Sequence, residues 1–280
     1  MKIVTAVVNN PIFIEIQYHT LKKYFKGEYE FIVFNDAKEF PDFTNGNDIT
    51  IKKQIEDICI KLNINCININ NNHHKDKAMS SRHADTFNTH IIPYQLENPD
   101  KYLLLDSDMF LIDYFDINKY SEYDCAIVLQ NRQNQGYLWP GLCYLDMTKI
   151  KNFKLINWDL CDGFDTGGMT KEWFKKQMKN TPIPSTDEIR WTNKQFHTND
   201  IYFIKHLWSC TWNIDELPKN LEDNTKLIDF LKNDVRNIND KFFCEIYDDV
   251  FLHYRAGGNW MNEGLDLHKK LSIILKKCLC

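Results

Sequence analysis

Short apolar runs alternate with amphipathic stretches through the first hundred residues, and this alternation constrains the fold more than any other feature. Ile3–Val8 reads as a buried strand, Ile14–Phe25 as a helix, and Tyr29–Phe34 as a second strand ending in Asn35-Asp36. Helical spacing returns over Ile49–Leu62 and strand-like alternation over Ile64–Ile69, before the polar run NNNHHKDK, which reads as a mobile loop. From Ser81 to Tyr94, Ala84, Phe87, Ile91 and Tyr94 form one apolar helical stripe, with Arg82, Asp85 and Thr89 opposite. The apolar run Tyr102–Leu105 is the next strand. Strands and helices taken in turn predict an α/β, Rossmann-like chain with a mostly parallel central sheet flanked by helices. Such sheets bind ligands beyond the carboxyl ends of their strands, where Asp36 and Asp106 both fall.

Beyond residue 120 the pattern is less regular. Strands are expected at Cys125–Leu129 and Leu142–Leu145, and helices near Thr170–Met178, Asp200–Trp208 and Leu265–Lys277. No internal repeat or linker divides the chain, so residues 1–280 read as one compact domain, with a nucleotide-binding half (1–120) and an acceptor-binding half (121–280).

Composition excludes several classes of partner. The net charge is -5, with 34 basic and 39 acidic residues intermixed, which leaves no basic stripe for nucleic acid or an anionic membrane. Nine scattered cysteines lack the spacing of a zinc site or a disulfide framework and read as reduced thiols. The opening MKIVTAVVNNP does not resemble a signal peptide, and no run reaches the roughly twenty apolar residues of a membrane helix. A cytoplasmic protein without a membrane anchor is expected.

KYLLLDSDM (101–109) carries the first chemistry. Residues two apart in an extended segment face the same way, so Asp106 and Asp108 would present like charges together. A divalent cation resolves the repulsion, and oxygen ligands suit Mg²⁺ or Mn²⁺; a solvated pair capping a strand is the plain alternative. The late run FLHYRAGGNW (251–260) supplies His253 as a third ligand, followed by Gly257-Gly258, whose amides could cradle an anion. Imidazole beside carboxylates favours Mn²⁺.

Asp-Ser-Asp after YLLL, the Ser80-Ser-Arg-His-Ala84 helix start, the FLHYRAGGNW run, the opening TAVVNN strand and FND at 34–36 together resemble a nucleotide-sugar glycosyltransferase of the GT-A fold over nearly the whole chain. The unanchored form and the Asn/Lys/Ile-rich composition look most like the enzymes with which large algal DNA viruses glycosylate their capsid proteins. The resemblance implies that Val7, Asn9 and Asp36 hold base and ribose, and that Arg82 and Asp85, with Ser107 and Gly258, flank the nucleotide. It further implies that Asp106, Asp108 and His253 hold the metal on the diphosphate. GFDTGGM (163–169) resembles a donor-sugar loop with Asp165, Gly167 and Gly168, and WPGLCYLDM (139–147) the strand whose Gly141 lies beside that sugar. Trp-Pro-Gly141 departs from the commoner Asn-Ser-Gly.

Inverting transfer also needs a carboxylate to take the acceptor's proton. The resemblance locates it between the glycine loop and His253, where Asp200 ranks first as the opening residue of a predicted helix, ahead of Asp187 and Glu188. The dipole at a helix start explains all three acids equally well. Trp139, Trp191 and Trp260, set among polar or Gly-rich segments, are the candidates to stack on acceptor sugars. The expected partners are a UDP-sugar, with UDP-xylose as the donor guess, and an oligosaccharide or glycoprotein acceptor. A Mg²⁺-dependent phosphohydrolase or nucleotidyltransferase, or a catalytically silent carbohydrate-binding protein, is the alternative.

Overall fold

Apolar residues on both faces of β1 (Lys2–Val7) bury this strand in the middle of the main sheet, and Asn10 then caps α1 (Pro11–Tyr24). The Asn10 side chain accepts the Ile12 N–H at 3.2 Å, and Pro11 fills a first-turn position that needs no N–H, so the helix begins ahead of Ile14. The computed structural model describes residues 1–280 except 76, 134, 179–182, 192–195 and 259–263, and not the side chains of His73, Arg190 and Trp191.

The short β2 (Phe25–Lys26), then β3 (Glu30–Asn35), α2 (Ile51–Leu62) and β4 (Asn65–Asn68) complete the β-α-β opening. α3 (Met79–Thr86) runs through a π-helical turn at Phe87–Ile91 into α4 (Ile92–Glu97). Pro93 accounts for the widened turn, because its ring clashes with the preceding α-turn and it has no N–H to offer. β5 (Lys101–Asp106), β6 (Met109–Leu111), β7 (Phe115–Asp116) and α5 (Asn118–Ser121) follow, then the hairpin of β8 (Cys125–Arg132) and β9 (Gln135–Asp146). The remaining elements are α6 (Lys171–Met178), α7 (Thr186–Trp191), β10 (Ile201–Phe203), β11 (His206–Leu207), α8 (Thr225–Lys232), β12 (Glu245–Tyr247), β13 (Phe251–His253) and α9 (Leu265–Leu279).

The main sheet has the order β10-β8-β9-β5-β1-β3-β4. All its pairings are parallel except those of β9 with β5 and β8. Side chains alternate across it: Ile3, Val33, Leu103 and Leu105 fill one apolar layer, and Val4, Ile32, Tyr102 and Leu104 the other. Each buried leucine contributes about 1.5–3 kcal/mol relative to exposure. A smaller antiparallel sheet, β11-β12-β13-β6, packs with α1, α8 and α9 around a third cluster that includes Phe13, Trp212 and Leu275. The two sequence halves therefore share this sheet, since β6 precedes residue 120 and its partners follow it.

Two expectations are corrected. Residues 200–208 form no helix but β10 and β11, because Ile201, Tyr202, Phe203 and Ile204 are all buried and Ile201 pairs with Cys125 in parallel register. The polar run after β4 is not simply a solvated loop: Asn71 and His74 are buried against the end of β3. Among the described residues no helix is long and apolar enough to cross a membrane, and the cysteines are free thiols.

Candidate metal centre and cleft

β5, β1 and β3 are parallel neighbours, so their carboxyl ends open on one edge, where a cleft of about 470 Å³ lies. Asp106 ends β5, and Ser107-Asp108 turn the chain into β6 rather than continuing it extended. The Gln17 side chain, buried in α1, holds this turn by donating to the carbonyls of Asp106 (2.8 Å) and Met109 (3.1 Å). β6 pairs with β13 in a register that sets His253 opposite Met109, and this pairing carries a residue from near the chain's end to the Asp pair. One ligand atom each from Asp106, Asp108 and His253 then lies within 4.8 Å of the others.

The surroundings explain the charges. Burial in the cleft wall, reinforced by Asp108 and Asp165, raises the Asp106 carboxyl above its ordinary value, while His83, 3.4 Å away, pulls it down. Burial would raise Asp108 too, but the His253 charge and the Gly257 N–H at 2.8 Å hold it below the usual carboxylate value. His253 loses charge stability through burial, yet Asp108 at 3.2 Å and Glu245 at 2.7 Å push it up to about 10. Two carboxylates and an imidazole so placed could hold a metal ion, whose charge would relieve the Asp106–Asp108 repulsion.

Ser107, Asp36, Gly258, Asp165, Trp139 and Arg82 line the same cleft. Asp36 is buried and bound by Lys38 (2.8 Å), Asn71 (3.0 Å) and Thr86 (2.9 Å). Arg82 does not lie on an open face: it pairs with Asp42, stacks on Phe43, and donates to the carbonyls of Lys77 and Lys75. Asp85, the other residue expected to flank the nucleotide, meets His74 at 2.6 Å and Lys77 at 3.1 Å, away from the cleft lining. Val7 and Asn9 are buried beside the lining residues Ala6 and Val8, and the Val7 carbonyl accepts the Asp36 N–H at 2.9 Å.

The glycines of the donor-loop reading face protein, not the cleft. A Cβ on Gly141 would meet the Trp139 ring at 2.1 Å, one on Gly167 the Leu138 carbonyl oxygen at 2.1 Å, and one on Gly168 Phe164 at 2.5 Å. Their missing side chains serve close packing.

Nor do the three named acids reach the cleft. Asp200 lies at the amino end of β10, 3.4 Å from Lys151, while the neighbouring parallel strand β8 delivers Gln130 and Arg132 to the cleft at its opposite end. Glu188 caps α7 reciprocally with Ser185, and Asp187 sits exposed in the same first turn. The side chain of Trp191 and the whole of Trp260 lie outside the described residues.

The sequence reading missed Glu245, Tyr247, Trp208, Arg255, His83 and Lys38, all of which line the cleft. His83 and Arg255 carried a signal, through their places in the Ser80–Ala84 helix start and in the FLHYRAGGNW run. No protein-family model matches the chain, and no curated protein matches it either.

Proposed function

We propose that the chain is a Mn²⁺- or Mg²⁺-dependent glycosyltransferase of the GT-A type that moves a sugar, with UDP-xylose as the donor guess, from a UDP-sugar to a glycan acceptor with inversion. The observation that carries this reading is the Asp106–Asp108–His253 group facing a cleft at the carboxyl edge of a mostly parallel sheet. Asp106, Asp108 and His253 would hold the ion, which as a Lewis acid stabilises the departing diphosphate. Asp36, Ser107 and Gly258 wall the nucleotide side. Trp139, stacked on Tyr247 with ring centroids 5.6 Å apart, and Trp208 give an aromatic wall for a sugar ring.

Asp165 is the base in this reading. Among the described carboxylates lining the cleft, Asp36 is bound by Lys38, Asp106 and Asp108 belong to the metal group, and Glu245 is bound to His253. Asp165 accepts the Thr166 N–H on one oxygen at 2.7 Å and forms no salt bridge among the described residues. It would take the proton of the acceptor hydroxyl as that oxygen bonds to the anomeric carbon. The bond from this carbon to the diphosphate breaks, and its electrons leave with the diphosphate.

Calorimetric titration of UDP, with GDP as control, in the presence and absence of Mn²⁺ tests the reading. UDP binding that requires Mn²⁺ is expected. Absence of binding to either nucleotide under any metal would sink it and favour the phosphohydrolase or carbohydrate-binding alternatives.

A further inference from the structure

Glu245 begins β12, only 5% exposed, and both its oxygens accept hydrogen bonds. Oε2 meets His253 Nδ1 at 2.7 Å and the Tyr247 hydroxyl at 2.8 Å. Oε1 accepts the Ser209 N–H at 3.1 Å and stands 3.7 Å from Arg255 Nε. The β12–β13 hairpin fixes this arrangement, because Glu245 and His253 are direct cross-strand partners. Trp139 packs against the imidazole at 5.2 Å between ring centroids and limits its rotation.

Around Glu245, the Tyr247 hydroxyl and the Ser209 N–H converge as donors, and only a carboxylate offers acceptor oxygens in both directions. A glutamine would turn its NH₂ group towards one of them. The Nδ1 nitrogen facing this carboxylate therefore keeps its proton, and the lone pair of a neutral imidazole falls on Nε2, the nitrogen 3.2 Å from Asp108. A carboxylate on the far nitrogen of a ligating histidine both orients the ring and raises its basicity.

We infer that Glu245 is a positioning residue of the metal centre, which holds His253 in the tautomer and rotation that aim Nε2 at the cation without ligating it itself. The inference rests on the reading of Asp106, Asp108 and His253 as metal ligands.

Mn²⁺ alone, without nucleotide, is the probe. Its binding is followed through the electron paramagnetic resonance signal of the free ion, and the imidazole nitrogen through its modulation of the bound ion's spin echo. The wild-type chain is expected to bind with a nitrogen signature. Glu245→Gln is expected to weaken binding about 10- to 100-fold and to lose or alter that signature at saturating Mn²⁺. Tyr247→Phe, which removes one hydroxyl from the same oxygen, is expected to weaken binding about 2- to 10-fold, and it decides the matter if the Gln variant does not fold. Unchanged affinity and signature in the folded variants would overturn the role of Glu245 while leaving the metal centre standing. Failure of the wild-type chain to bind Mn²⁺ would overturn the metal reading and this inference with it.

Discussion

Gly257 donates its backbone N–H to Asp108 Oδ2 across 2.8 Å and so ties the late glycine loop to the turn at the end of β5. The loop reaches this position through Arg255 and Ala256, both left-handed at φ 62° and 58°. Such residues cost of order 1–3 kcal/mol each where the surrounding structure enforces them. Here the Arg255 carbonyl accepts from buried Arg236 at 2.9 Å, and the Tyr254 N–H donates to the Asp108 carbonyl at 2.9 Å.

Gly257→Ala tests that contact. The added Cβ would meet Phe13 at 2.5 Å and Asp108 at 2.9 Å, both in a packed interior. A stability loss of about 1–3 kcal/mol is expected from overpacking, with weaker Mn²⁺ binding as the loop is displaced. Denaturant unfolding and a Mn²⁺ titration of the same variant check both effects.

Asp106→Asn isolates the metal role. Unlike Asp108, whose carboxylate also anchors Gly257 and His253, the Asp106 side chain among the described residues forms an ion pair only with His83, at 3.4 Å. Metal-dependent UDP binding should disappear while the melting temperature stays close to wild type. Unchanged UDP binding in calorimetry would remove Asp106 from the ligand set.

His253 gives opposite pH dependences to stability and to metal affinity. Burial opposes its charge, but Asp108 and Glu245 raise it from 6.5 to about 10. Its stabilisation of the metal-free fold is therefore fully present below about pH 6.5 and is lost as pH rises through about 10. A ligating Nε2 must first lose its proton, so metal affinity rises with pH over the same window. Titrations at pH 7 in two buffers of different ionisation enthalpy should show proton release on Mn²⁺ binding; identical heats would count against His253 as a ligand.

Asp165→Asn should keep UDP binding yet lower sugar transfer by about two to four orders of magnitude, the scale of a general base. Asp200→Asn, at the far edge of the sheet, should transfer at close to the wild-type rate. Initial rates with a UDP-sugar and a glycan acceptor separate the two, and reversal of this ranking would return the role to Asp200.

Arg82→Ala should act on stability first. It leaves the Asp42 side chain, 3% exposed, without its cation, and strips donors from the carbonyls of Lys75 and Lys77. A loss of about 3–5 kcal/mol is expected, measured by denaturant unfolding. Arg82→Lys should recover only part of it, since an ammonium lacks the guanidinium fork.

Elements that carry a clear apolar run or stripe could be read from the residues alone. Short continuous apolar runs in β1, β3 and β5, set in turn with amphipathic stretches, and the stripe Ala84–Phe87–Ile91 made the α/β plan legible, and like charge at Asp106 and Asp108 marked the candidate metal group. The run Ile201–Ile204 was not legible, because so short an apolar run, buried on both faces and followed at once by Leu207 and Trp208, fits a helix segment as well as a strand. Tertiary structure alone decided which acids reach the cleft, since that depends on strand direction: parallel pairing with β8 puts Asp200 at the wrong end, whereas antiparallel pairing of β13 with β6 and β12 brings His253 and Glu245 to the Asp pair. It also decided that Asn71 and His74 are buried supports of Asp36 and Lys38, and that Gly141, Gly167 and Gly168 make room for protein atoms. A glycine or a polar side chain reads the same in sequence whether ligand, solvent or another strand lies against it, and only the packing of distant segments says which.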